Sequence, residues 1–213
     1  MSQRFFITGT DTGVGKTVAS ALLCAALEAV YWKPIQTGTR EGTDRGTVLR
    51  LAGHGKERAI PEAYRFAPPV SPHLAAMRAG VRIELRKILM PALGPEENLI
   101  VEGAGGVLAP INEKQLMIDL MRHVKLPVLL VARTALGTIN HSLLSLTALR
   151  AAALEVRGVI LVGKRNLDNL RAIEHYGKVP IVGFIPPLAS LERKELLGAF
   201  QRHFDHHAFG ASA

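Results

Sequence analysis

The chain has a single cysteine, few aromatic residues and no apolar run long enough to cross a bilayer. Cys24 is the only cysteine among 213 residues, which excludes an internal disulfide and is typical of a reducing cytoplasm. The longest apolar stretch, residues 18–32, contains Glu28 and is shorter than the roughly 20 residues of a transmembrane helix. The N-terminus has no secretory leader pattern. We therefore expect a cytoplasmic protein that does not insert into a membrane.

Acidic residues are fewer than basic ones, so that the net charge is +8 and the pI is near 10.0. The basic residues are scattered along the chain, and aromatic side chains that could stack on bases make up only 5%. This pattern does not favour a nucleic-acid partner. The excess positive charge is better explained by a solvated surface together with a site that attracts anionic substrates.

Length and apolar patterning predict a single α/β domain over residues 1–213. The hydrophobic fraction of 48% is that of a globular protein with a full core. Several apolar runs lack alternation, which is typical of parallel strands covered on both faces. Together with the helical patterns between them they predict a doubly wound, mostly parallel sheet with helices on both faces. The predicted strands are Arg4–Thr8, Val30–Lys33, Leu99–Glu102, Pro127–Ala132, Gly158–Val162 and Pro180–Ile185.

Apolar stripes at helical spacing predict three helices, and start and stop signals predict a fourth between Asp168 and Gly177. The stretch from Thr39 to Pro72 is rich in glycine, proline and charge, so we expect long surface loops there. The three stripes comprise Val81, Leu85, Ile88, Leu89 and Ala92; Leu143, Leu146, Leu149 and Ala153; and Leu197, Phe200 and Phe204.

A glycine-rich stretch between the first predicted strand and a helical pattern indicates a phosphate-binding loop. It reads TDTGVGKT over residues 10–17, with Thr10 where the usual motif has its first glycine. Backbone N–H groups of residues 13–17 can hold phosphate oxygens at the positive end of the helix. Lys16 can bridge the terminal phosphates and the Thr17 hydroxyl can ligate Mg²⁺. The alternative is a glycine-rich turn that carries a lysine by chance.

A Mg²⁺ ion held by Thr17 needs carboxylates and phosphate oxygens as further ligands. Glu102 is the strongest candidate, because it ends the run LIVEGAGG at the carboxyl edge of a buried strand, where open α/β sheets place their ligands. It could instead be a strand-terminal glutamate that faces water. Asp44, in TREGTDRGT, is one acid among several, and from the residues alone a surface role is favoured for it.

Seven ordered blocks together resemble the dethiobiotin synthetases, and the resemblance covers most of the chain. A phosphate loop without its first glycine is itself typical of that family. The blocks are TGTDTGVGKT at 8–17, KPIQTG at 33–38, Asp44 in GTDRG, SPH at 71–73, VEGAGGVLAP at 101–110, LGTINH at 136–141 and GFIPPL at 183–188.

The resemblance implies an ATP-dependent cyclo-ligase of biotin biosynthesis that converts 7,8-diaminopelargonate and CO2 into a cyclic urea. A substrate amine and CO2 form a carbamate, the carbamate attacks the γ-phosphate of ATP, and the second amine closes the ring with release of phosphate. The resemblance also implies a homodimer with the substrate site at the subunit interface. Phosphoryl transfer requires mainly positioning and charge neutralisation from the protein.

The same resemblance assigns roles to individual residues. Lys16 and Lys33 would be catalytic, and Thr17, Asp44 and Glu102 would ligate Mg²⁺. The substrate would contact Thr37 and, from the LGTINH segment of the other subunit, Leu136, Gly137 and Asn140. The nucleotide would contact Thr12, Gly13, Val14, Gly15, Lys16, Thr17, Asp44, Glu102, Gly103, Ala104, Gly105, Val162, Gly163, Pro186, Pro187 and Leu188. Without the resemblance, Lys33 could be an ordinary strand-end cation and LGTINH a loop and helix start capped near Thr138.

One position departs from the family pattern. Members commonly have an asparagine at the end of the strand that corresponds to GVILV, where its amide reads the nucleobase, whereas this chain has Val162. Valine has no hydrogen-bonding group with which to recognise adenine. We therefore predict relaxed selectivity for the base of the nucleoside triphosphate, with Pro186, Pro187 and Leu188 supplying shape and backbone contacts.

Two other classes use a similar loop. A partition-type or metal-insertion ATPase would hydrolyse ATP as a conformational switch. Such proteins usually carry an additional lysine early in the loop, where this chain has Thr10, Asp11 and Thr12. A small-molecule kinase would bring arginines over the phosphates, as Arg40, Arg45 and Arg50 could do, and would return a phosphorylated substrate.

Overall fold

Parallel strands form a seven-stranded sheet and a separate pair in the computed structural model, which describes residues 2–210. The strand order in the large sheet is β4-β2-β6-β1-β7-β8-β9, and β3 pairs with β5. All six predicted strands are confirmed, with ends that differ by at most two residues. The strands are β1 (Arg4–Gly9), β2 (Val30–Trp32), β3 (Ile35–Gln36), β4 (Ala59–Ile60), β5 (Tyr64–Arg65), β6 (Leu99–Glu102), β7 (Val128–Arg133), β8 (Val156–Val162) and β9 (Ile181–Ile185).

Helices cover both faces of the large sheet. Alternate strand residues point to opposite faces, and the apolar residues on each face pack against a different set of helices. Phe6 and Val101 belong to a core cluster that also includes residues of α4, α5 and α6, whereas Ile7 and Ile100 belong to a second cluster with α1, α2 and α7. The doubly wound α/β prediction is confirmed. The helices are α1 (Lys16–Leu27), α2 (Asp44–Ala52), α3 (Pro72–Arg78), α4 (Met117–Val124), α5 (Thr138–Ala151), α6 (Leu167–Gly177) and α7 (Arg193–His203).

The prediction of long surface loops from Thr39 to Pro72 is wrong. This stretch contains α2, the edge strand β4 and the strand β5, which pairs with β3. The Thr43 side chain caps α2 by accepting a hydrogen bond from the backbone N–H of Gly46, and Gly53 ends the helix in the left-handed conformation. Val48 and Leu51 are buried on its inner face. So few apolar residues among charges and glycines give too weak a periodic signal to reveal a nine-residue helix.

The helix predicted from the stripe Val81 to Ala92 is also wrong, since only a 3₁₀ turn, Leu85–Lys87, forms there. Ile83 and Ile88 are buried, but Leu89 is 73% exposed, so the apolar residues do not share one helical face. They anchor an irregular segment on the core instead. Pro91 lies within this segment and disfavours continuation of a helix.

The other predicted helices are confirmed with shifted ends. α6 begins at Leu167, and its cap is Asn166, whose side chain accepts from the N–H of Asn169. α5 buries Leu146 and Leu149 and ends two residues before Ala153. Between residues 2 and 210 there is no helix whose length and apolar character would let it traverse a bilayer.

Candidate active site

The carboxyl ends of three neighbouring strands bring the main candidate residues together. Ile7 of β1 is in register with Glu102 of β6, and Trp32 of β2 is in register with Val101. Lys33, one residue beyond Trp32, therefore lies beside Glu102 on the same face of the sheet. Both side chains are nearly inaccessible, since Glu102 is 1% and Lys33 5% exposed.

Two carboxylates, an ammonium group and a hydroxyl converge at this edge. Lys33 Nζ lies 2.6 Å from Asp44 Oδ2 and 2.9 Å from Glu102 Oε1. Thr17 Oγ1 lies 3.0 Å from Asp44 Oδ1 and 3.2 Å from Glu102 Oε1. Asp44, for which the residues alone favoured a surface role, is thus part of the same cluster as Glu102.

In the pKa values of Lys33 and Asp44, the combined effect of the ion pairs and hydrogen bonds is larger than the opposing effect of burial. Burial alone would lower the pKa of Lys33, but the carboxylates of Glu102 and Asp44 raise it above its ordinary value. Burial would raise the pKa of Asp44, but Lys33 and the hydrogen bonds from Thr17 and Gln36 lower it overall. Lys33 is therefore a fixed cation and Asp44 a fixed anion at neutral pH.

Gln36 holds Asp44 in place at the start of α2. It is a buried residue for which the sequence predicted no role. Gln36 Oε1 accepts a hydrogen bond from the Asp44 N–H at 3.1 Å, and its Nε2 donates to the Thr37 carbonyl at 2.6 Å. Gln36 thus ties β3 to the start of α2. Nothing in the segment KPIQTG indicates a contact with α2, so the role of Gln36 could not be predicted from the sequence.

The predicted phosphate loop joins β1 to α1 and has the expected backbone geometry. Gly13 and Gly15 have φ values of 65° and 100°, which favour glycine. Lys16 Nζ donates to the Asp11 carbonyl at 2.8 Å, and burial lowers the pKa of Lys16 below its ordinary value. A methyl group added to Gly15 would lie 2.9 Å from Val162 Cγ1, so the end of β8 borders the loop.

Two adjoining cavities open at this edge. The smaller has a volume of about 420 Å³ and is lined by the phosphate loop together with Lys33, Asp44 and Glu102. The larger, of about 710 Å³, extends towards Pro72 and Ala109. Both are lined by Thr12, Gln36, Thr37, Asp44, Ala104 and Gly105.

Most predicted site residues line these cavities, and the others fall into three groups. Val14 and Gly103 are buried, and each lies in sequence between two residues that line the smaller cavity, but neither lines it. Val162 ends β8, Gly163 follows it, and residues 186–188 follow the neighbouring strand β9; they line neither cavity. The Gly163 N–H donates to the Ile185 carbonyl at 2.9 Å. Leu136, Gly137 and Asn140 line neither cavity and are exposed near the start of α5.

The donor set of the site suits Mg²⁺. Thr17, Asp44 and Glu102 offer one hydroxyl and two carboxylates, all of them oxygen donors. Mg²⁺ prefers such ligands and completes its shell with waters and substrate phosphates. In the part of the chain that the structure describes, no group of three or more His, Cys, Asp or Glu side chains forms a metal site.

Comparison of the sequence with known proteins identifies close relatives. A family described as an AAA domain matches residues 3–195. The ATP-dependent dethiobiotin synthetase BioD of Nitrobacter hamburgensis is 50% identical over 204 residues, which cover 96% of this chain and 95% of that protein. The protein of the same name from Agrobacterium fabrum is 49% identical over 205 residues, or 96% of each chain.

Solved structures share the fold at low sequence identity. A ParA family ATPase from Chlorobium tepidum has a TM-score of 0.58 at 13% identity and is covered completely, with 95% of this chain aligned. The MinC:MinD cell division complex of Aquifex aeolicus gives a TM-score of 0.56 at 14% identity, covering 100% of this chain and 98% of that one. At this identity the likeness establishes the fold alone.

Proposed function

The chain belongs to the family of ATP-dependent dethiobiotin synthetases, and from this premise we propose that its two cavities hold the nucleotide and the diamine side by side. It is an enzyme of the cyclo-ligase type that acts in biotin biosynthesis. The observation that supports the placement is the shared wall of the cavities, where Thr37 and Asp44 face both spaces. The γ-phosphate of ATP and the carbamate formed on 7,8-diaminopelargonate could meet there.

The smaller cavity would hold the phosphates. Backbone N–H groups at the start of α1 point towards anions bound in the loop. Lys16, now donating to the Asp11 carbonyl, is close enough to the loop to neutralise a terminal phosphate. Thr17, Asp44 and Glu102 would hold Mg²⁺, which when bound neutralises charge on the phosphate oxygens.

The larger cavity would hold the diamine and CO2. One amine adds to CO2 and loses a proton, giving a carbamate whose oxygen attacks the γ-phosphorus as the bond to ADP breaks. The second amine then attacks the carbamoyl carbon, closes the ring and expels phosphate, which keeps one oxygen of CO2. Lys33, held at the cavity wall by two carboxylates, is a fixed cation beside the transferring group.

The exposed start of α5 supports a homodimer in which each site is completed by the other subunit. Leu136 is fully exposed, and Gly137 and Asn140 are exposed beside it. These residues line neither cavity of their own chain. A carboxylate at the end of the substrate could bind the backbone N–H groups at the start of this helix, so we propose that α5 of one subunit reaches the larger cavity of its partner.

Phosphate release in the presence and absence of the diamine tests this proposal. The enzyme is incubated with ATP, Mg²⁺ and bicarbonate carrying a heavy-oxygen label. We expect phosphate release only with 7,8-diaminopelargonate, and one labelled oxygen in each phosphate. Hydrolysis that does not depend on the diamine would instead indicate a switch ATPase, and a phosphorylated diamine without free phosphate would indicate a kinase.

A further inference from the structure

The two carboxylate oxygens of Glu102 have different neighbours. Oε1 contacts Lys33 and Thr17, which both line the smaller cavity, at 2.9 and 3.2 Å. Oε2 points into the protein and accepts a hydrogen bond from the Tyr31 hydroxyl at 3.0 Å. The carboxylate is therefore held at both ends, with one oxygen turned to the site and the other engaged by a buried phenol.

The sheet register places Tyr31 behind Glu102. Tyr31 of β2 is in register with Ile100 of β6, and Glu102 follows Ile100 by two residues on the same face. Lys33 in turn follows Tyr31 by two residues. A single face of two adjacent parallel strands thus presents the phenol, the carboxylate and the ammonium group in sequence from the core to the cavity.

The Tyr31 hydroxyl has no access to solvent, so water cannot take its place as a donor to Glu102. Tyr31 is 0% exposed and packs in the cluster with Ile7, Ile100 and Leu22. The Tyr31 hydroxyl is therefore shielded from water and donates its hydrogen bond to Glu102.

We propose that Tyr31 is a positioning residue that fixes the orientation of Glu102 and so keeps Oε1 available to the metal and to Lys33. This inference rests on the proposed Mg²⁺ site. A carboxylate that ligates a metal is commonly oriented by a second hydrogen-bonding partner, whose removal weakens metal binding or activity about 10- to 100-fold. Without the phenol, Glu102 Oε2 would be buried without this donor, and the carboxylate would be held at Oε1 alone.

Tyr31→Phe tests the inference because it removes the hydroxyl and keeps the ring in the core. Mn²⁺ can be titrated by electron paramagnetic resonance into enzyme saturated with a non-hydrolysable ATP analogue. We expect Mn²⁺ to bind the variant about tenfold or more weakly, while the affinity for the analogue in EDTA stays unchanged. Tyr64→Phe is the matched control, since its hydroxyl accepts from the Glu84 N–H and its side chain lines neither cavity.

Comparison with Glu102→Gln separates this inference from the metal site itself. If Glu102→Gln binds Mn²⁺ as tightly as the wild type, the site fails and the inference fails with it. If Glu102→Gln loses Mn²⁺ but Tyr31→Phe does not, only the inference about Tyr31 is overturned. Loss of affinity for the nucleotide in EDTA would likewise overturn it, because that result indicates a general structural role.

The double variant tests whether Tyr31 acts through Glu102. When Glu102→Gln is already present, adding Tyr31→Phe should weaken Mn²⁺ binding by less than about twofold. The reason is that both changes act on the same metal ligand, the Glu102 carboxylate. A further tenfold loss would overturn the inference. If Tyr31→Phe alone does not fold, recovery of folding in the double variant supports action on the Glu102 charge, and failure of both to fold contradicts it.

Discussion

Lys33 forms ion pairs with the carboxylates of both Asp44 and Glu102. Replacing it with Met should lower the turnover rate by about 100-fold or more, because a preorganised cation beside the transferring phosphoryl group is lost. It should also lower the free energy of unfolding by about 3–5 kcal/mol, since Glu102 would be left buried without its partner. Steady-state kinetics and urea unfolding measure the two effects.

The matched control for this change is Lys114→Met, at an exposed lysine that lines neither cavity. Saturating Mg²⁺ and nucleotide should recover more thermal stability in Lys33→Met than in the wild type, because the metal would replace the missing positive charge. A turnover rate within about threefold of the wild type would contradict the catalytic role, which should cost far more.

Val162 at the end of β8 sets the expected nucleobase selectivity. Since a valine cannot pair with the adenine edge, we expect the kcat/KM values for ATP, GTP and CTP to lie within about tenfold of one another. Val162→Asn should shift the preference towards ATP about tenfold, the scale of a paired amide–base contact. Competition between nucleotides in the phosphate-release assay measures both.

Val162→Thr is the control for this prediction, because it keeps the branched shape beside Gly15 but cannot make a paired contact. It should leave the selectivity unchanged. If ATP already outcompetes GTP and CTP by several hundredfold in the wild type, base selectivity does not depend on position 162 and the prediction is wrong.

Single residues could be predicted from the sequence where a motif or a strand end marked them. Lys16, Thr17 and Glu102 were found in this way, and the structure places them around one cavity. Asp44 needed the family resemblance, because a nine-residue helix brings it to the site and the residues gave no sign of that helix. Gln36 and Tyr31 were missed, since their roles arise from contacts across strands that local patterns do not encode.

At the scale of elements, the junction between the phosphate loop and α1 gives a matched pair of glycines. Gly15 has φ 100° and little space, because an added methyl would lie 2.9 Å from Val162 Cγ1. Gly13 has φ 65° and open space around it. We expect Gly15→Ala to weaken nucleotide binding at least about tenfold more than Gly13→Ala, because a left-handed backbone costs a non-glycine residue about 1–2 kcal/mol at either position and only Gly15 adds a clash.

Isothermal titration with ADP measures the difference between the two glycine variants. Combining Gly15→Ala with Val162→Ala should restore part of the lost affinity, since the second change removes the methyl groups that would clash. Equal losses in the two single variants would show that the contact with β8 does not constrain the loop.

An element could be predicted from the sequence when the burial of its apolar residues produced a regular pattern along the chain. The strands of the large sheet gave continuous apolar runs because both of their faces are covered. The segment from Val81 to Ala92 gave a helical spacing by coincidence, since Ile83, Leu85 and Ile88 anchor an irregular path. β3 and β5 are two residues each, too short to carry any alternation.

At the scale of the whole molecule, the proposed dimer predicts complementation between inactive subunits. Lys16→Ala should inactivate the nucleotide side of a site, and Asn140→Ala should impair the substrate contact that a subunit offers to its partner. When the two variants are mixed and allowed to exchange subunits, half of the sites in each mixed dimer should contain neither change. We therefore expect activity above that of either variant alone.

Subunit exchange and mass can be followed by analytical ultracentrifugation in parallel with the activity of the mixture. A control mixture of Lys16→Ala with Gly15→Ala, both on the nucleotide side, should not recover activity. If the first mixture also recovers none although mixed dimers form, the start of α5 does not serve the partner's site.

The central claim is that this chain closes a cyclic urea, and mass spectrometry of the product tests it most directly. The enzyme is incubated with ATP, Mg²⁺, bicarbonate and 7,8-diaminopelargonate, with Lys33→Met as the impaired comparison. We predict a product heavier than the diamine by CO2 minus water, formed with one phosphate released per molecule. Recovery of the diamine unchanged while ATP is hydrolysed would contradict the account.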